Sequence, residues 1–430
     1  MIALLYEILL WIGGILILPK TFTQYMQTGR HGGNFLPRVI AQGFPQIEKG
    51  NKKLYWIHGV SVGEIKAISA LGNRIKKIHP DCIIVVSTVT ETGQEEAKRC
   101  LASADYHVYL PFDYRFLMKR IMKRLRPDWV ILSEGDLWYN FLRCAKDQGA
   151  KIAVLNAKLS ERSLNRFKKV KFLALKMYSL VDFFCIQNEV YLERFIGLGL
   201  DPQKLHVTGN LKLDEVYPEL DESERSEWRQ RLGIKESDLV LTCGSTHEPE
   251  EKYFLESLEV LWKQFPQLKV LLVPRHPLRF PVVAKLLEEK KIPFRKYSDE
   301  SDTNMDVRVI LVDAMGILRH CYQLSDLAFV GGTYNKSVGG HNLLEPCFYG
   351  IPVFFGPYTY SQPGMPELLD SYGAGERYSL EDLKEKLSNL LENQVQRNEM
   401  GSSGKRLMEE NRGALDKSWN LIFQNEELKA

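Results

Sequence analysis

The chain opens with an apolar run and, after residue 50, alternates short apolar runs with longer amphipathic stretches. Near-continuous apolar segments of strand length, separated by helical stretches, are typical of parallel sheets covered on both faces. The pattern therefore predicts the α/β class. The predicted strands lie at 54–57, 83–86, 129–132, 152–155, 183–186, 239–241, 270–273, 309–312, 327–330 and 353–355.

Ten such units are too many for one compact sheet, and the polar, charge-dense stretch 214–238 carries no strand signal. We therefore predict two doubly wound, Rossmann-like domains, at 20–213 and 239–400, joined by that linker. In open parallel sheets ligands bind beyond the carboxyl ends of the strands, so we expect a ligand cleft between the two domains. A closing helical segment, 401–430, either locks the second domain or crosses back to the first.

The first 18 residues are almost entirely apolar, with Glu7 as the one acid. As a helix they would cover about 27 Å, just short of a ~30 Å hydrocarbon core. Basic residues follow the run rather than precede it, at Lys20, Arg30 and Arg38. This flank charge favours a retained membrane anchor over residues 1–19, with the bulk of the chain on the cytoplasmic side. A buried first helix is the alternative.

Charge and cysteine content narrow the classes of function. The chain has 57 basic and 54 acidic residues, a net charge of +3, which argues against a nucleic-acid binder that relies on bulk basicity. Its seven cysteines form no C-x-x-C pair, so neither a disulfide framework nor a zinc site is indicated.

Two turns of the first domain carry candidate chemistry. In the turn after the first strand, glycines let the backbone approach a ligand and Glu64 is placed to accept a proton. Alternatively, Ser61 and Glu64 form a helix capping box. After the strand 129–132, Glu134 and Asp136 lie within three residues, which suits water, a cation or a hydroxyl-rich ligand. Ordinary enrichment of acids at a helix start is the alternative there.

The second domain gathers cations and glycines at its strand ends. Arg275 can bind a phosphate with two parallel hydrogen bonds, and a surface salt bridge is the alternative. His276, taken alone, is more typical of a structural histidine. The loop 331–346 has four glycines in ten residues and then a helix start, which is typical of an anion-binding loop. A plain helix-capping loop is the alternative. It matches neither the P-loop nor the dinucleotide pattern. Glu345 could accept hydrogen bonds from ribose hydroxyls.

Two basic stretches lie in the first half of the chain. Residues 115–126 contain six basic residues and no acid, and residues 158–176 contain seven basic residues and one acid. Polybasic helices beside an anchor suit an anionic membrane face. RNA binding and a plain solvated helix face remain as alternatives.

Taken together and in order, seven motifs resemble those of the 3-deoxy-D-manno-oct-2-ulosonic acid (Kdo) transferases: HGVSVGE, SEGDLW, TGNLKLD, GSTHEPEE, PRHP, DAMG and GGHNLLEP. The resemblance runs from the apolar start to about residue 370. It implies the GT-B architecture, a membrane-anchored enzyme of the inner (cytoplasmic) membrane, and transfer of Kdo from CMP-Kdo to the lipid A precursor (lipid IVA) in lipopolysaccharide synthesis. No metal and no cofactor are expected. The basic stretches predict anionic lipids as partners, and the small net charge argues against nucleic acid.

The same resemblance implies roles for individual residues. Glu64 matches the catalytic base, and Glu134 and Asp136 match an acceptor-binding acidic motif. The positions that match donor contacts are Gly63, Asn210, Lys212, Arg275, His276, Met315, Gly316, Asn342 and Glu345. Two other functions stay open, a nucleotide-sugar epimerase of the same fold and a non-catalytic membrane-bound scaffold.

Overall fold

The structure is a computed structural model that describes residues 6–8, 10–13, 38, 44–135, 137–214, 218–299 and 306–427. The chain divides into two compact units. The first contains residues 1–215 together with 412–430, and the second contains residues 216–411.

The first unit is built on a parallel sheet of seven strands in the order β3-β2-β1-β4-β5-β6-β7. The strands are β1 Leu54–His58, β2 Ile83–Thr88, β3 Tyr106–Tyr109, β4 Trp129–Ser133, β5 Lys151–Ala157, β6 Phe183–Ile186 and β7 Leu205–Val207. The helices are α1 Val62–Ile78, α2 Glu91–Cys100, α3 Arg115–Leu125, α4 Tyr139–Lys146, α5 Glu161–Lys169, α6 Lys171–Tyr178 and α7 Glu189–Leu198. The strand order reverses direction between β1 and β4, as in a doubly wound sheet.

Alternate side chains of β1 enter two separate cores, because successive residues of a strand point to opposite faces. Leu54 and Trp56 pack with residues of α3 and α4, whereas Tyr55 and Ile57 pack with residues of α1. Burial on both faces is what makes β1 a continuous apolar run.

The second unit has its own seven-stranded parallel sheet, in the order β10-β11-β9-β8-β12-β13-β14. The strands are β8 Leu239–Thr246, β9 Leu268–Pro274, β10 Phe294–Lys296, β11 Val309–Leu311, β12 Leu327–Val330, β13 Val353–Phe355 and β14 Gly375–Arg377. The helices are α8 Glu222–Arg231, α9 Glu250–Gln264, α10 Phe280–Glu289, α11 Leu318–Gln323, α12 Met365–Tyr372, α13 Leu383–Glu392 and α14 Gln394–Glu410.

All ten predicted strands are present, so the prediction of parallel α/β sheets is confirmed. The four strands that the pattern did not predict, β3, β7, β10 and β14, are the four edge strands of the two sheets. Each is three or four residues long and has a single buried position. An edge strand that is covered on fewer sides does not need a continuous apolar run.

The stretch 214–238 contains helix α8, and its described part from residue 218 onward belongs to the second unit. The last helix, α15 Ala414–Glu427, belongs to the first unit. There Trp419, Ile422 and Phe423 complete the core on the α1 side of the sheet.

The predicted anchor at residues 1–19 lies largely outside the described residues. Within the described part of the chain, no helix has the length and apolar character needed to cross a bilayer. The described N-terminal residues contact the first unit: the Tyr6 hydroxyl donates to Asp113 (2.8 Å), and Glu7 Oε1 accepts from the Arg115 backbone N–H (3.0 Å).

Candidate functional site

Glu64 lies in the first turn of α1, directly after β1, and is half-buried. The Val60 backbone N–H donates to Glu64 Oε2 (2.8 Å) and the Ser61 hydroxyl donates to Oε1 (2.9 Å). Ser61 occupies the N-cap position but makes no side-chain cap hydrogen bond to the backbone. The arrangement is therefore a variant of the predicted capping box, in which the serine orients the glutamate.

Gly63 lies beside this carboxylate and is exposed. A Cβ atom placed on Gly63 would meet no atom within 4 Å. Packing within the first unit therefore does not require a glycine here. A glycine at such a position allows a ligand to come close to the backbone.

The acidic turn after β4 lies next to the start of α1, since the Ser133 hydroxyl donates to the Glu64 carbonyl (3.3 Å). Glu134 is 8% exposed and has a left-handed backbone with φ of 63°. Its carboxylate is paired with Lys158 and, at 3.0 Å, with Lys212. Burial opposes ionisation, but these two lysines outweigh it and hold the pKa of Glu134 below its usual value. Asp136, the second predicted acid, lies outside the described residues.

Lys212, expected as a donor contact, thus pairs with Glu134 of its own unit. Asn210, another expected donor contact, caps the short 3-10 turn Leu211–Leu213 by accepting from the Lys212 backbone N–H (3.1 Å). Sequence reasoning missed Asn156, which is fully buried and accepts from the Leu211 backbone N–H (3.1 Å). Asn156 therefore helps to position the turn that carries Lys212.

At the carboxyl ends of β8 and β9, His247, Arg275 and His276 come together. The rings of His247 and His276 lie 5.3 Å apart, edge to face. The Arg275 backbone N–H donates to the Thr246 carbonyl (3.1 Å), and the Arg275 and His276 side chains are exposed. This edge of the second sheet therefore presents a cluster of basic groups.

A third histidine, His341, comes from the loop after β12 and stacks on His247 with ring centroids 5.0 Å apart. The two Nε2 atoms lie 2.8 Å apart, so one must carry a proton and the other must accept it. Burial first, and nearby positive groups second, lower the pKa of His247 and of His341 to about 4. Neither was predicted as a site residue, because a single histidine in a motif gives no sign of a partner 94 positions away.

Two acids of α9 stabilise this edge. Glu251 is 1% exposed, pairs with Arg279 (2.9 Å) and accepts from the Thr246 hydroxyl (3.0 Å). Glu250 is completely buried, and burial raises its pKa to about 7 although three backbone N–H donors oppose the rise. Both glutamates belong to the motif GSTHEPEE, and neither was predicted as a site residue.

The remaining predicted donor contacts lie at the same edge of the second sheet. Met315 and Gly316 form an exposed turn after β11. Asn342 accepts from the Leu344 backbone N–H (3.2 Å), and Glu345 is half-buried and accepts from Arg319 Nε (3.1 Å). One carboxylate oxygen of Glu345 is thus already bonded within the unit.

The site residues therefore fall into two groups. The first unit holds Gly63, Glu64, Glu134, Asn210 and Lys212, and the second holds Arg275, His276, Met315, Gly316, Asn342 and Glu345. Within each unit they lie at the carboxyl ends of parallel strands, where open α/β sheets bind ligands.

Known proteins are similar to this chain in both sequence and fold. Residues 38–215 match a family model described as 3-deoxy-D-manno-octulosonic-acid transferase (kdotransferase). A 3-deoxy-D-manno-octulosonic acid transferase of Chlamydia trachomatis serovar A is 34% identical over 419 residues, covering 97% of this chain and 96% of the relative. One from Haemophilus influenzae is 35% identical over 374 residues, covering 85% and 86%.

A crystal structure described as a UDP-N-acetylglucosamine 2-epimerase from Listeria monocytogenes aligns with a TM-score of 0.61 at 14% identity. It covers 87% of this chain and 97% of that chain. At this identity the likeness concerns the fold alone, two parallel α/β units of the kind found in the GT-B class. The extent and identity of the sequence matches show that the chain belongs to the family of 3-deoxy-D-manno-octulosonic acid transferases.

Proposed function

We propose that the chain transfers Kdo from CMP-Kdo to the lipid A precursor, lipid IVA, in lipopolysaccharide synthesis. Membership of the Kdo transferase family over 97% of the chain supports the reaction class. The observation that carries the chemistry is the Glu64 carboxylate, oriented by Val60 and Ser61 beside the open space at Gly63.

Glu64 acts in this proposal as the general base. An acceptor sugar hydroxyl attacks the anomeric carbon of Kdo while its proton passes to the Glu64 carboxylate. The new carbon–oxygen bond forms as the bond to the phosphate oxygen breaks, so CMP leaves with the bonding electron pair. Direct displacement of this kind inverts the anomeric centre.

The acceptor is bound by the first unit. Glu134 is held ionised between Lys158 and Lys212, and both lysine side chains are still about 40% exposed. An ion-paired carboxylate can accept hydrogen bonds from sugar hydroxyls, and the two ammonium groups can bind anionic substituents. Asp136 is proposed to act beside Glu134.

The donor is bound by the second unit. Arg275 and His276 are exposed there next to the His247–His341 pair. Arg275 offers positive charge to a phosphate, and the histidine rings offer hydrogen-bond donors. Asn342, Glu345, Met315 and Gly316 are proposed to contact the rest of CMP-Kdo. Positive charge at the leaving phosphate stabilises the charge that develops there, without a metal.

We also propose that the protein is attached to the cytoplasmic face of the inner membrane by contact with the anionic lipids of that membrane. All six basic residues of 115–126 are exposed, and Phe116 among them is 59% exposed. Trp11, from the apolar N-terminal run, packs against Tyr114 with the ring centroids 4.6 Å apart and is itself half exposed. Each basic side chain near such a surface contributes about 1 kcal/mol.

Flotation with lipid vesicles tests this attachment. The double variant Lys119→Glu, Lys123→Glu should float less with vesicles rich in anionic lipid and should be unchanged with zwitterionic vesicles. Equal flotation of the variant and the wild type with anionic vesicles would contradict the proposal.

Incubation of the purified chain with CMP-Kdo and lipid A precursor, followed by mass spectrometry, tests the reaction. We expect product masses raised by whole Kdo units. Glu64→Gln should lower the rate about 100- to 10,000-fold, because a general base contributes about that much. Binding of CMP, measured by calorimetry, should remain.

Glu91→Gln is the matched control, since Glu91 is an exposed glutamate in the first turn of the neighbouring helix α2. It should transfer Kdo at the wild-type rate. Near-normal turnover by Glu64→Gln would remove Glu64 from the role of base. Absence of any added Kdo, with consumption of a free UDP-sugar instead, would favour the epimerase alternative.

A further inference from the structure

The glycine-rich loop after β12 closes around a carboxylate of the protein itself. Glu250 Oε2 accepts from the backbone N–H groups of Gly332 (2.8 Å) and His247 (2.9 Å), and Oε1 accepts from that of Tyr334 (2.8 Å). Glu250 is completely buried. Three backbone donors on two neighbouring loops thus converge on one side chain.

This arrangement changes what the loop can offer to a ligand. A glycine-rich loop before a helix is usually read as an anion-binding loop, in which backbone N–H groups point at a phosphate. Here the N–H groups of Gly332 and Tyr334 already bind a carboxylate. A second anion at the same donors would meet an acceptor rather than free N–H groups.

The loop then folds back so that its far end meets its beginning. The Gly340 N–H donates to the Gly332 carbonyl (2.8 Å), and the His341 N–H donates to the Gly331 carbonyl (3.1 Å). A Cβ atom on Gly332, where φ is 75°, would lie 3.2 Å from the His341 ring. Gly332 and the His341 ring are therefore packed closely together, with no room for a side chain between them.

Glu250 is bonded to the backbone of His247 and of Gly332, so it connects the two loops that carry the histidine pair. The pair depends on this connection, because its hydrogen bond requires the two Nε2 atoms to stay 2.8 Å apart. A shift of either loop by 1 Å would lengthen that contact beyond hydrogen-bond distance.

We propose that Glu250 is a positioning residue for donor binding: it occupies the anion-binding position of the glycine-rich loop and thereby holds His247 and His341 together for the anionic group of the nucleotide. The nature of that nucleotide, a cytidine monophosphate sugar, rests on the proposed function. The inference that Glu250 holds the two loops together does not rest on the proposed function.

The variant Glu250→Gln tests the proposal with little change in shape. Glutamine offers one acceptor oxygen where three donors converge on two, so at least one backbone N–H must lose its acceptor. At pH 8, above the raised pKa of about 7, Glu250 is mostly ionised. At this pH we expect the KM for CMP-Kdo and the inhibition constant of CMP to rise about tenfold to hundredfold, the cost of one lost charged hydrogen bond. The kcat and the KM for the lipid acceptor should stay within about threefold, below the effect of one such bond.

Hydrogen exchange gives a readout that does not depend on the reaction. The amide protons of Gly332 and Tyr334 should exchange faster in Glu250→Gln than in the wild type. Where the smaller variant Glu250→Ala folds, formate should restore CMP affinity by occupying the vacated position, and formamide should not. Rescue by an anion but not by a neutral analogue identifies the position as anion-binding.

Asp326→Asn is the matched control. Asp326 also accepts from a backbone N–H, that of Val240 (2.8 Å), but it lies at the amino end of the same sheet. Asp326→Asn should lower the thermal midpoint without changing CMP affinity or the exchange of Gly332 and Tyr334.

Two results would overturn the inference. One is an unchanged donor KM in Glu250→Gln, and the other is an equal rise in Glu250→Gln and Asp326→Asn, which would indicate a general loss of stability. If the wild-type chain transfers no Kdo, the proposed function fails instead. Amide exchange of Gly332 and Tyr334 would then still decide whether Glu250 fastens the loops.

Discussion

At the scale of single residues, the fold of the first unit requires some of the candidate site residues and does not require others. Glu64 is bonded to Val60 and Ser61, so part of its role is to order the start of α1. Gly63 has no such task, because a side chain there would contact nothing within 4 Å. A change at Gly63 therefore reports on the ligand rather than on folding.

The variant Gly63→Ala should keep or slightly raise the stability of the protein, because alanine is favoured over glycine inside a helix by about 1 kcal/mol. Kdo transfer should nevertheless fall at least about tenfold, since the added methyl group occupies space proposed for the ligand, and a misplaced ligand costs that much or more. Chemical denaturation and the transfer assay measure the two effects. Full activity in Gly63→Ala would show that no ligand approaches this backbone.

His58, at the end of β1, is 1% exposed and contacts Ser87 through Nδ1 (2.9 Å to the hydroxyl). Its Nε2 atom is buried and has no hydrogen-bond partner among the described residues. Burial, and secondarily the charge of Arg38, lower its pKa to about 4. The folded state therefore favours the neutral form of the His58 imidazole.

Between pH 6.5 and about 4 the unfolded chain binds a proton at His58 and the folded chain does not, so stability falls as the pH drops through this window. For a shift of this size the loss approaches about 3 kcal/mol at the acid end. Urea unfolding of wild type and His58→Asn at several pH values measures it. The variant should lose less stability on acidification, and parallel curves would contradict the assignment.

At the scale of elements, carboxylates from distant positions cap helices of the first unit. Asp113 accepts from the backbone N–H groups of Asn140 (2.9 Å) and Phe141 (2.7 Å) at the start of α4. Asp214 accepts from those of Gly413 (2.7 Å) and Leu415 (2.6 Å) at the start of α15. Each cap satisfies N–H groups that a helix start leaves without partners.

Asp214→Ala should destabilise the first unit by about 1–3 kcal/mol, because the α15 N–H groups lose a charged acceptor. Amide exchange across α15 should accelerate, and the fluorescence of Trp419, a residue of α15 that is buried in the core, should change at lower denaturant concentration. An unaltered denaturation midpoint would mean that water replaces the carboxylate without cost.

At the scale of the whole molecule, each unit has its own sheet and its own hydrophobic cores. Phe423 of α15 packs edge to face against Trp129 of β4, with ring centroids 5.2 Å apart, so residues near the end of the chain complete the first core. The proposed donor residues lie in the second unit. We therefore expect substitutions in the core of the first unit to change its stability, and substitutions of the donor residues in the second unit to change donor binding.

Phe423→Ala should lower the stability of the first unit by about 3–5 kcal/mol, the usual loss for a buried phenylalanine. CMP at a hundredfold excess over its Kd should stabilise the second unit by about 2.7 kcal/mol in both the wild type and the variant. Hydrogen exchange resolved by peptide separates the two effects. A large loss of CMP affinity in Phe423→Ala would contradict this separation.

The sequence alone was sufficient to predict the parallel sheets and their ten inner strands, because burial on both faces demands continuous apolar runs. It also located the loops that follow those strands, since glycines, acids and cations stand out against apolar segments. The edge strands were not predicted because β3, β7, β10 and β14 are only partly covered. Their pairing depends on neighbouring strands that are distant in sequence, so no local pattern predicts it.

Only the tertiary structure decided which of the candidate residues meet. Lys212 pairs with Glu134 across 78 positions, His341 meets His247 across 94, and Asp214 caps a helix about 200 positions later. Such contacts depend on the order of strands in a sheet and on how loops fold back. A side chain's hydrogen-bond partners are set by distance in space, so spacing along the chain cannot reveal that a buried glutamate fills a glycine-rich loop.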